Sequence, residues 1–292
     1  MEKRNFGSSG LLVPLLGFGA GHIGGNELTE HEVSVLLNFA LDLGINLIDT
    51  ARGYGLSEER IGKYISHRRD EYILSTKVGY GIPGYNDWTY DCVIAGVNEA
   101  LRIMKTDYID IVHLHSCPLE TLTNSEVIYA LNKTVEDGKV RVAAYSGEND
   151  ALRFAVESGM FGSIQTSLNI TDQRDIEVIL PAAKEKGIGV IAKRPLANNP
   201  WRFNKRPYGE YCEEYWVRWK EMNLDLSIDW NEAALRFAAY TIGVNSVIAG
   251  TSNTNHLKSN LEAINQGPLP DETYNEIRSA FNKNDKGWIG QV

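Results

Sequence analysis

Cysteine is scarce in this chain. Three residues, Cys92, Cys117 and Cys212, stand far apart among 292. An odd number at such spacing excludes a disulfide framework and reads as reduced thiols in a cytoplasmic protein. Long apolar runs are missing too. No stretch approaches the roughly 18 consecutive apolar residues of a membrane-spanning helix. Met1-Glu2-Lys3-Arg4-Asn5 leads into no apolar run of the kind a secretory signal needs. Positive charge is in deficit: Lys and Arg number 29 against 38 Asp and Glu, a net charge of −9. An acidic surface is a poor match for polyanions, so neither nucleic acid nor an anionic membrane is expected as a partner. Low-complexity tracts and domain linkers are absent as well. With 43% hydrophobic and 23% charged residues, the composition is globular, and the length suits one domain over residues 1–292 with a single large core.

What is present is a rhythm. Short apolar runs rich in Ile, Val and Leu fall at 15–19, 45–49, 72–77, 108–115, 140–146, 163–168, 188–193 and 246–249. Such runs suit strands covered on both faces. Helical patterns lie between them, at 29–43, 57–65, 89–105, 122–137, 149–158, 172–186, 229–242 and 254–265. In the first, Thr29 can cap and Glu32 completes a capping box. Val33, Leu36, Leu37, Ala40 and Leu41 share one face, and Gly44 stops the helix. Alternation of this kind predicts parallel βαβ units. About eight of them suit an α/β fold closed as a (β/α)8 TIM barrel; a doubly wound open sheet is the structural alternative. Residues 4–14, around Ser8-Ser9-Gly10, read as a hairpin before the first barrel strand. The stretch 197–228, after the seventh strand, breaks the rhythm. It carries Trp201, Phe203, Tyr208, Tyr211, Tyr215, Trp216 and Trp219. A functional loop and an aromatic helix pair on the barrel rim both fit it.

Catalysis in such a barrel sits where strands end, at the C-terminal face. Three consecutive expected strands end in polar groups. The second ends at Asp49, with Tyr54 in the loop that follows; the third ends at Lys77, the fourth at His115. Neighbouring strands lie roughly 5 Å apart, so these side chains can meet in one patch. A buried carboxylate and a buried ammonium need each other, which pairs Asp49 with Lys77. A cation near Tyr54 favours the phenolate, and a tyrosine tuned in that direction can give up a proton at neutral pH. A neutral His115 can hydrogen-bond and orient a substrate oxygen. The set suits protonation of an oxygen that becomes an alcohol. Any one of these residues reads more simply as structure; four at successive strand ends read as a site.

Other patterns compete. Gly19-Ala20-Gly21-His22-Ile23-Gly24 spells the Rossmann fingerprint after a strand, and the next strand ends in Asp49. That fingerprint needs its third glycine inside a helix, and Gly24-Gly25-Asn26 would break one. The glycines fit better as close backbone approach to a cofactor or substrate over the barrel mouth. His113, His115 and Cys117 alternate, which suits zinc and a metal-dependent hydrolase. Pro118 places Cys117 in a loop, however, and His113 reads as a hydrogen-bonded residue beneath the site, so no metal is expected. A Schiff-base role for Lys77 or Lys193 needs a depressed pKa, which Asp49 beside Lys77 opposes.

On these residues the chain resembles the aldo-keto reductase family. The matching stretches are Gly44-Ile45-Asn46-Leu47-Ile48-Asp49-Thr50-Ala51 with Tyr54-Gly55 and Ser57-Glu58; Ser75-Thr76-Lys77; Asp107-Tyr108-Ile109-Asp110 running to His115; and Gly138-Lys139-Val140-Arg141. Near the end come Gly250-Thr251-Ser252-Asn253, His256-Leu257 and Asn260-Leu261. The resemblance covers nearly the whole chain. It implies a (β/α)8 barrel, NADPH-dependent reduction of a small aldehyde or ketone, and a catalytic tetrad on Asp49, Tyr54, Lys77 and His115. Implied cofactor contacts fall on Gly19, Ser146, Gln165, Gly250, Thr251, Ser252, Asn253, His256 and Asn260. At strand seven, Lys193 or Arg194 stands where an aromatic residue often stacks on the nicotinamide. Gly250 and His256 occupy positions where many members hold the 2′-phosphate with Lys and Arg. The resemblance implies NADP(H), but a phosphate needs such partners, which weakens a strict preference and leaves NAD(H) open. His22 and Ile23 in the first loop, the third loop from Tyr80 to Trp88 and the aromatic stretch 197–228 are expected to shape the substrate pocket, with Trp88, Trp201 and Trp216 as candidate apolar walls. The protein is expected to be a monomer or a small homo-oligomer. Some proteins with this fold resemble cofactor-binding regulatory subunits with little turnover, which is the alternative to an active enzyme.

Overall fold

The computed structural model describes residues 1–291. Strands β1 (Lys3–Asn5) and β2 (Leu12–Pro14) pair antiparallel, with Arg4 opposite Val13. This is the expected hairpin, and it closes the lower end of a barrel. The staves are β3 (Leu16–Gly19), β4 (Leu47–Asp49), β5 (Ile73–Val78), β6 (Ile109–His115), β7 (Val140–Ser146), β8 (Ser163–Ser167), β9 (Gly189–Lys193) and β10 (Ser246–Ala249). They pair parallel in chain order and close where β10 meets β3. The sheet is closed, so the Rossmann alternative is excluded.

Strand side chains alternate between the barrel interior and the surrounding helices. Outward-facing Ile48, Leu74, Val112, Leu114, Ala143, Tyr145, Ile164, Val190 and Val247 form the main core with the helices. Inward-facing Leu47, Ile111, Val142, Ile191 and Ile248 pack on Phe6, Leu11 and Val13 from the hairpin as a separate apolar plug. One pleat further along the same staves the interior turns polar: Asp49, Ser75, His113 and Gln165 are all buried. The register sets Asp49 beside Ser75, Lys77 beside His113, and His115 beside Ser146 and Ser146 beside Gln165. An apolar floor under a polar ceiling is what puts chemistry at one end of the barrel.

The helices are α1 (Glu30–Asp42), α2 (Ser57–Tyr64), α3 (Tyr90–Met104), α4 (Leu119–Thr123), α5 (Glu126–Glu136), α6 (Asn149–Ser158), α7 (Ile179–Glu185), α8 (Glu213–Met222), α9 (Trp230–Tyr240), α10 (Thr254–Asn265) and α11 (Asp271–Asn284). Helix α1 carries the expected capping box at Thr29 and Glu32. The pattern at 122–137 is broken into α4 and α5, because Ser125 adopts a left-handed φ of +60°. Only 179–185 of the 172–186 pattern is helical. Asp172, Arg174 and Asp175 turn inward to a buried ion cluster, and the chain there follows turns. The stretch 197–228 resolves into a 3-10 turn at Pro200–Arg202 and α8. Trp201 packs edge-on to Trp219 at 6.5 Å and stacks on Trp230 at 5.8 Å, so the aromatic cluster is rim packing. Helix α11 had no clear sequence pattern, with Ile277 and Phe281 its buried positions. Among the described residues, no helix is long and apolar enough to cross a membrane.

Candidate active site

The polar ceiling is built from the end of β4. Lys77 Nζ donates to Asp49 Oδ2 at 2.6 Å and to the Thr50 carbonyl at 2.7 Å. Asp49 Oδ1 accepts from Ser75 Oγ at 2.7 Å and from Gln165 Nε2 at 2.9 Å. Burial works against both charges. For Asp49 it is outweighed by the Lys77 ammonium, which holds the carboxyl below its ordinary range. For Lys77 it is outweighed by Asp49 and then Tyr54, which hold the ammonium above its own. Both partners therefore stay ionised, the condition for a buried pair to persist. Lys77 Nζ lies 5.0 Å from the centre of the half-buried Tyr54 ring. The His115 ring meets Tyr54 edge-on, centroids 6.0 Å apart. Burial, then the cations of Lys77 and Lys193, push His115 down to about 3, so its imidazole is neutral near pH 7. Its Nδ1 is 2.7 Å from Tyr80 Oη, and the two rings stack at 5.5 Å.

Two cavities adjoin over this ceiling. One, of about 390 Å³, is lined by Asp49, Tyr54, Gly19, His22, Arg194, Arg202, Tyr211 and Gly250 among others. The second, of about 470 Å³, lies between α9 and α10 and is lined by Thr251, His256 and Asn260 among others. Leu196, Asn199 and Gly250 line both, so together they form one elongated cleft. A Cβ on Gly250 would stand 2.9 Å from His22 Cδ2, and the cleft narrows there. Ala197, Asn198 and Asn199, beside the narrowing, run left-handed at φ of +49°, +58° and +56°. Non-glycine residues held in that region mark a constrained segment of functional interest.

The sequence-level candidates divide under this geometry. Asp49, Tyr54, Lys77 and His115 come together. Gly19, His22, Gly250, Thr251, His256 and Asn260 line the cleft. Gln165 and Ser146 lie beneath it, joined by a 3.0 Å hydrogen bond from Ser146 Oγ to Gln165 Oε1. Ser252 and Asn253 are exposed at the rim, where Asn253 caps α10. Lys193 does not face the cleft, because its buried ammonium pairs with Glu148 at 3.2 Å; its neighbour Arg194 lines the cleft instead. Ile23 is fully buried in the main core and is no pocket wall. Trp88 packs on Tyr80, centroids 5.7 Å apart, and lies behind the site. Trp201 belongs to the rim cluster, its indole nitrogen donating to Asn231 Oδ1 at 2.9 Å. The zinc pattern does not converge. His113 bonds Ser75 inside the barrel, Ser116 turns the chain at φ +56°, and the Cys117 thiol is buried against the Pro118 carbonyl.

Tyr80, Asn199, Arg202 and Tyr211 fall within the two stretches expected to shape the pocket but were not singled out in them, and Arg194 was named only together with Lys193. Tyr80 carried no signal beyond its loop. The Arg-Pro step after β9 was visible, but nothing distinguished Arg194 from Lys193. The first-loop glycines have a role no spacing reveals. A Cβ on Gly24 would fall 1.8 Å from the Tyr54 carbonyl oxygen. Leu56 N also donates to the Gly24 carbonyl at 3.0 Å. The glycine loop is therefore moulded to the backbone that carries Tyr54.

The fold and the site define a single-barrel enzyme with its polar groups gathered at the C-terminal mouth. Comparison with known proteins narrows that class. The model of the aldo/keto reductase family matches residues 15–282. The chain belongs to the aldo/keto reductase family and is an oxidoreductase. An L-galactose dehydrogenase from Arabidopsis thaliana is 27% identical, over 96% of this chain and 94% of that protein. A probable voltage-gated potassium channel subunit beta from the same plant is 27% identical, over 92% of this chain and 93% of its own. Among solved structures, the holo form of an aldo-keto reductase from Bacillus halodurans superposes with a TM-score of 0.83 at 30% identity, covering 96% of both chains.

Proposed function

We propose that the protein interconverts a small aldehyde or ketone and its alcohol, using a nicotinamide dinucleotide bound in the elongated cleft, with Tyr54 as the proton donor. One observation carries this reading. The ammonium of Lys77, ion-paired with Asp49, sits 5.0 Å from the Tyr54 ring, and Asp49 and Tyr54 line a cavity large enough for a small substrate beside a second cavity that extends it. When bound, the dinucleotide supplies or accepts the hydride at the carbonyl carbon. The donor set fits such a group: Asn260 is 9% exposed, lines the second cavity, and has no side-chain partner among the described residues. Gly19, Gly250, Thr251 and His256 would hold it from the β10 side, with Gln165 and Ser146 below.

The chain's own groups perform the proton chemistry. Tyr54 Oη gives its proton to the carbonyl oxygen as that oxygen gains charge. Lys77 favours the phenolate left behind, and Asp49 keeps Lys77 in place and charged. With Tyr80 donating to Nδ1, His115 carries its proton on Nε2 and can donate to the same oxygen, fixing its position. In the reverse direction the phenolate accepts the alcohol proton. The test is Tyr54→Phe. Loss of a general acid costs roughly 10²- to 10⁴-fold in kcat, while dinucleotide binding, followed by quenching of tryptophan fluorescence, should be nearly unchanged. Wild-type turnover in that variant would remove the mechanism. Dinucleotide binding with no turnover by the wild type on a broad aldehyde panel would favour a cofactor-binding subunit instead, as the name of the channel-subunit relative suggests.

A further inference from the structure

The second cavity has a charge of one sign. Its walls include Asp229, Glu232 and Glu262, and among the described residues lining it none is Lys or Arg. His256 is the single lining residue able to carry a positive charge, and its Nδ1 is 3.0 Å from Thr251 Oγ1. The carboxylates differ in how free they are. Glu232 is paired with Arg236 on the same helix. Asp229 caps α9, its Oδ1 accepting from Asn231 N at 2.9 Å and Glu232 N at 3.2 Å. Glu262 is exposed on α10 and has no ion-pair or hydrogen-bond partner among the described residues. The cavity also holds Asn260, nine-tenths buried with an unspent side-chain amide, which points to an uncharged polar ligand group.

We infer that the cavity between α9 and α10 takes the adenosine half of the dinucleotide and selects NAD(H) over NADP(H) through its carboxylates. This inference rests on the reading above that a nicotinamide dinucleotide occupies the cleft. The chemistry is that of a charge filter. A ribose 2′-hydroxyl donates to a carboxylate, so an acidic side chain favours NAD; a 2′-phosphate needs a cation such as arginine. A phosphate brought among Asp229, Glu232 and Glu262 meets like charge and finds no guanidinium or ammonium on the wall. Substrate-side cations do not alter this. Arg194 and Arg202 line the other cavity, beyond the narrowing at Gly250.

The test is titration of the purified protein with NADH and, separately, NADPH, read by tryptophan quenching. Trp201 is a fitting reporter, since it hydrogen-bonds Asn231 on the cavity wall. NADH should bind at least ten-fold more tightly. Glu262→Lys and Asp229→Asn should each strengthen NADPH binding several-fold and narrow that ratio. Asparagine keeps the helix cap while removing the charge, and Glu262 is exposed, so both variants should fold. NADPH binding as tight as NADH, or a ratio that neither variant moves, would overturn the charge filter while leaving the cofactor reading intact. Binding of neither nucleotide would overturn both.

Discussion

Two buried ionic clusters share the upper half of this barrel, and only one of them faces a cavity. The first joins Asp49, Lys77, Ser75, Gln165 and Ser146 beneath Tyr54 and His115. The second lies at the C-terminal ends of β8 and β9. There Glu148 accepts from Ser167 N at 2.9 Å and Ser167 Oγ at 2.7 Å. It also pairs with Lys193 and with Arg174, each at 3.2 Å. Arg174 Nε donates to Asp172 Oδ1 at 2.7 Å. The C-terminal residues cover this cluster: Arg218 donates to the Ile289 carbonyl at 2.8 Å, and Asn149 Nδ2 to that of Gly290 at 3.3 Å. Both clusters bury charge, and both hold shifted titratable groups. They differ in what is left over. The second, Arg218 Nη1 aside, spends its donors internally. The first ends in a phenol that lines a cleft, with an imidazole edge-on to it. Buried charge is thus no signature of catalysis by itself; unspent hydrogen-bonding capacity at an opening is.

The largest expected effects would come from cutting each cluster. Tyr54→Phe, on the function proposed, abolishes most turnover and leaves stability within about 1 kcal/mol, since a hydroxyl on a cleft-lining residue is lost and no core volume with it. Glu148→Ala should do the opposite. It strands Lys193 and Arg174 without their shared carboxylate, and breaking a buried pair costs about 3–5 kcal/mol. For a chain of this size that lowers Tm by roughly 10 °C, seen by calorimetry, while kcat of the folded fraction at low temperature should stay within a few-fold of wild type. A Glu148→Ala protein of full stability would mean that the second cluster is not structural.

A further contrast lies in how the clusters titrate. Burial, reinforced by Glu148 and Asp172 and opposed by Arg174, pushes Asp175 up to about 7. The geometry agrees. Thr166 Oγ1 lies 2.9 Å from Glu148 Oε2 and 2.6 Å from Asp175 Oδ2. One hydroxyl proton cannot serve two carboxylates, so a protonated Asp175 completes the network. Its folded value exceeds the unfolded one of about 3.9, so the folded state binds more protons. Its contribution to stability is full below that value and is lost as pH rises through about 7. His113 and His115, both pushed down to about 3 mainly by burial, act with the opposite sign. Their contribution is full above about 6.5 and is lost as pH falls towards the folded value. Asp175→Asn supplies a permanently neutral amide. Relative to wild type, it should therefore gain stability steadily from pH 4 to 7, as followed by thermal melts across that window. A constant offset between the two curves would show that Asp175 is ionised throughout.

The same difference explains what the sequence disclosed. The eight staves were legible because buried parallel strands are short apolar runs between capped helices. The convergence of Asp49, Lys77 and His115 was legible because they stand at or near the ends of consecutive strands, where the register of a barrel brings them together, with Tyr54 in the loop after the first. The second cluster was not. Glu148 follows β7 in a loop, Asp172 and Asp175 sat in what reads as a helix, and Arg218 comes from the irregular aromatic stretch. Their meeting depends on tertiary folding across 70 residues of chain. The pocket walls failed for a related reason. Ile23, Trp88 and Trp201 are large and apolar, which suits them to packing before it suits them to a pocket: Ile23 went to the core, Trp88 to half-buried packing behind the site and Trp201 to the rim cluster. Arginines reaching over a cleft leave no periodic trace.

The smallest expected effect separates positioning from chemistry within the first cluster. Tyr80 touches neither cleft cavity, yet its hydroxyl lies 2.7 Å from His115 Nδ1 and its ring stacks on the imidazole at 23°. Trp88, at φ +60°, packs against its other side. Donating to Nδ1, as the proposed mechanism requires, the hydroxyl favours the tautomer with its proton on Nε2, and the ring fixes where that nitrogen points. Tyr80→Phe removes the first constraint and keeps the second. The tautomers then compete, and the fraction of enzyme with a proton on Nε2 falls. Losing one neutral hydrogen bond amounts to about 1 kcal/mol, so kcat should drop by roughly five-fold. Dinucleotide affinity should not move, and neither should Tm beyond a degree or two. Tyr80→Leu removes both constraints and should cost more. If Tyr80→Phe turned over at the wild-type rate while Tyr80→Leu did not, the tyrosine would serve by packing alone, and His115 would choose its tautomer without help.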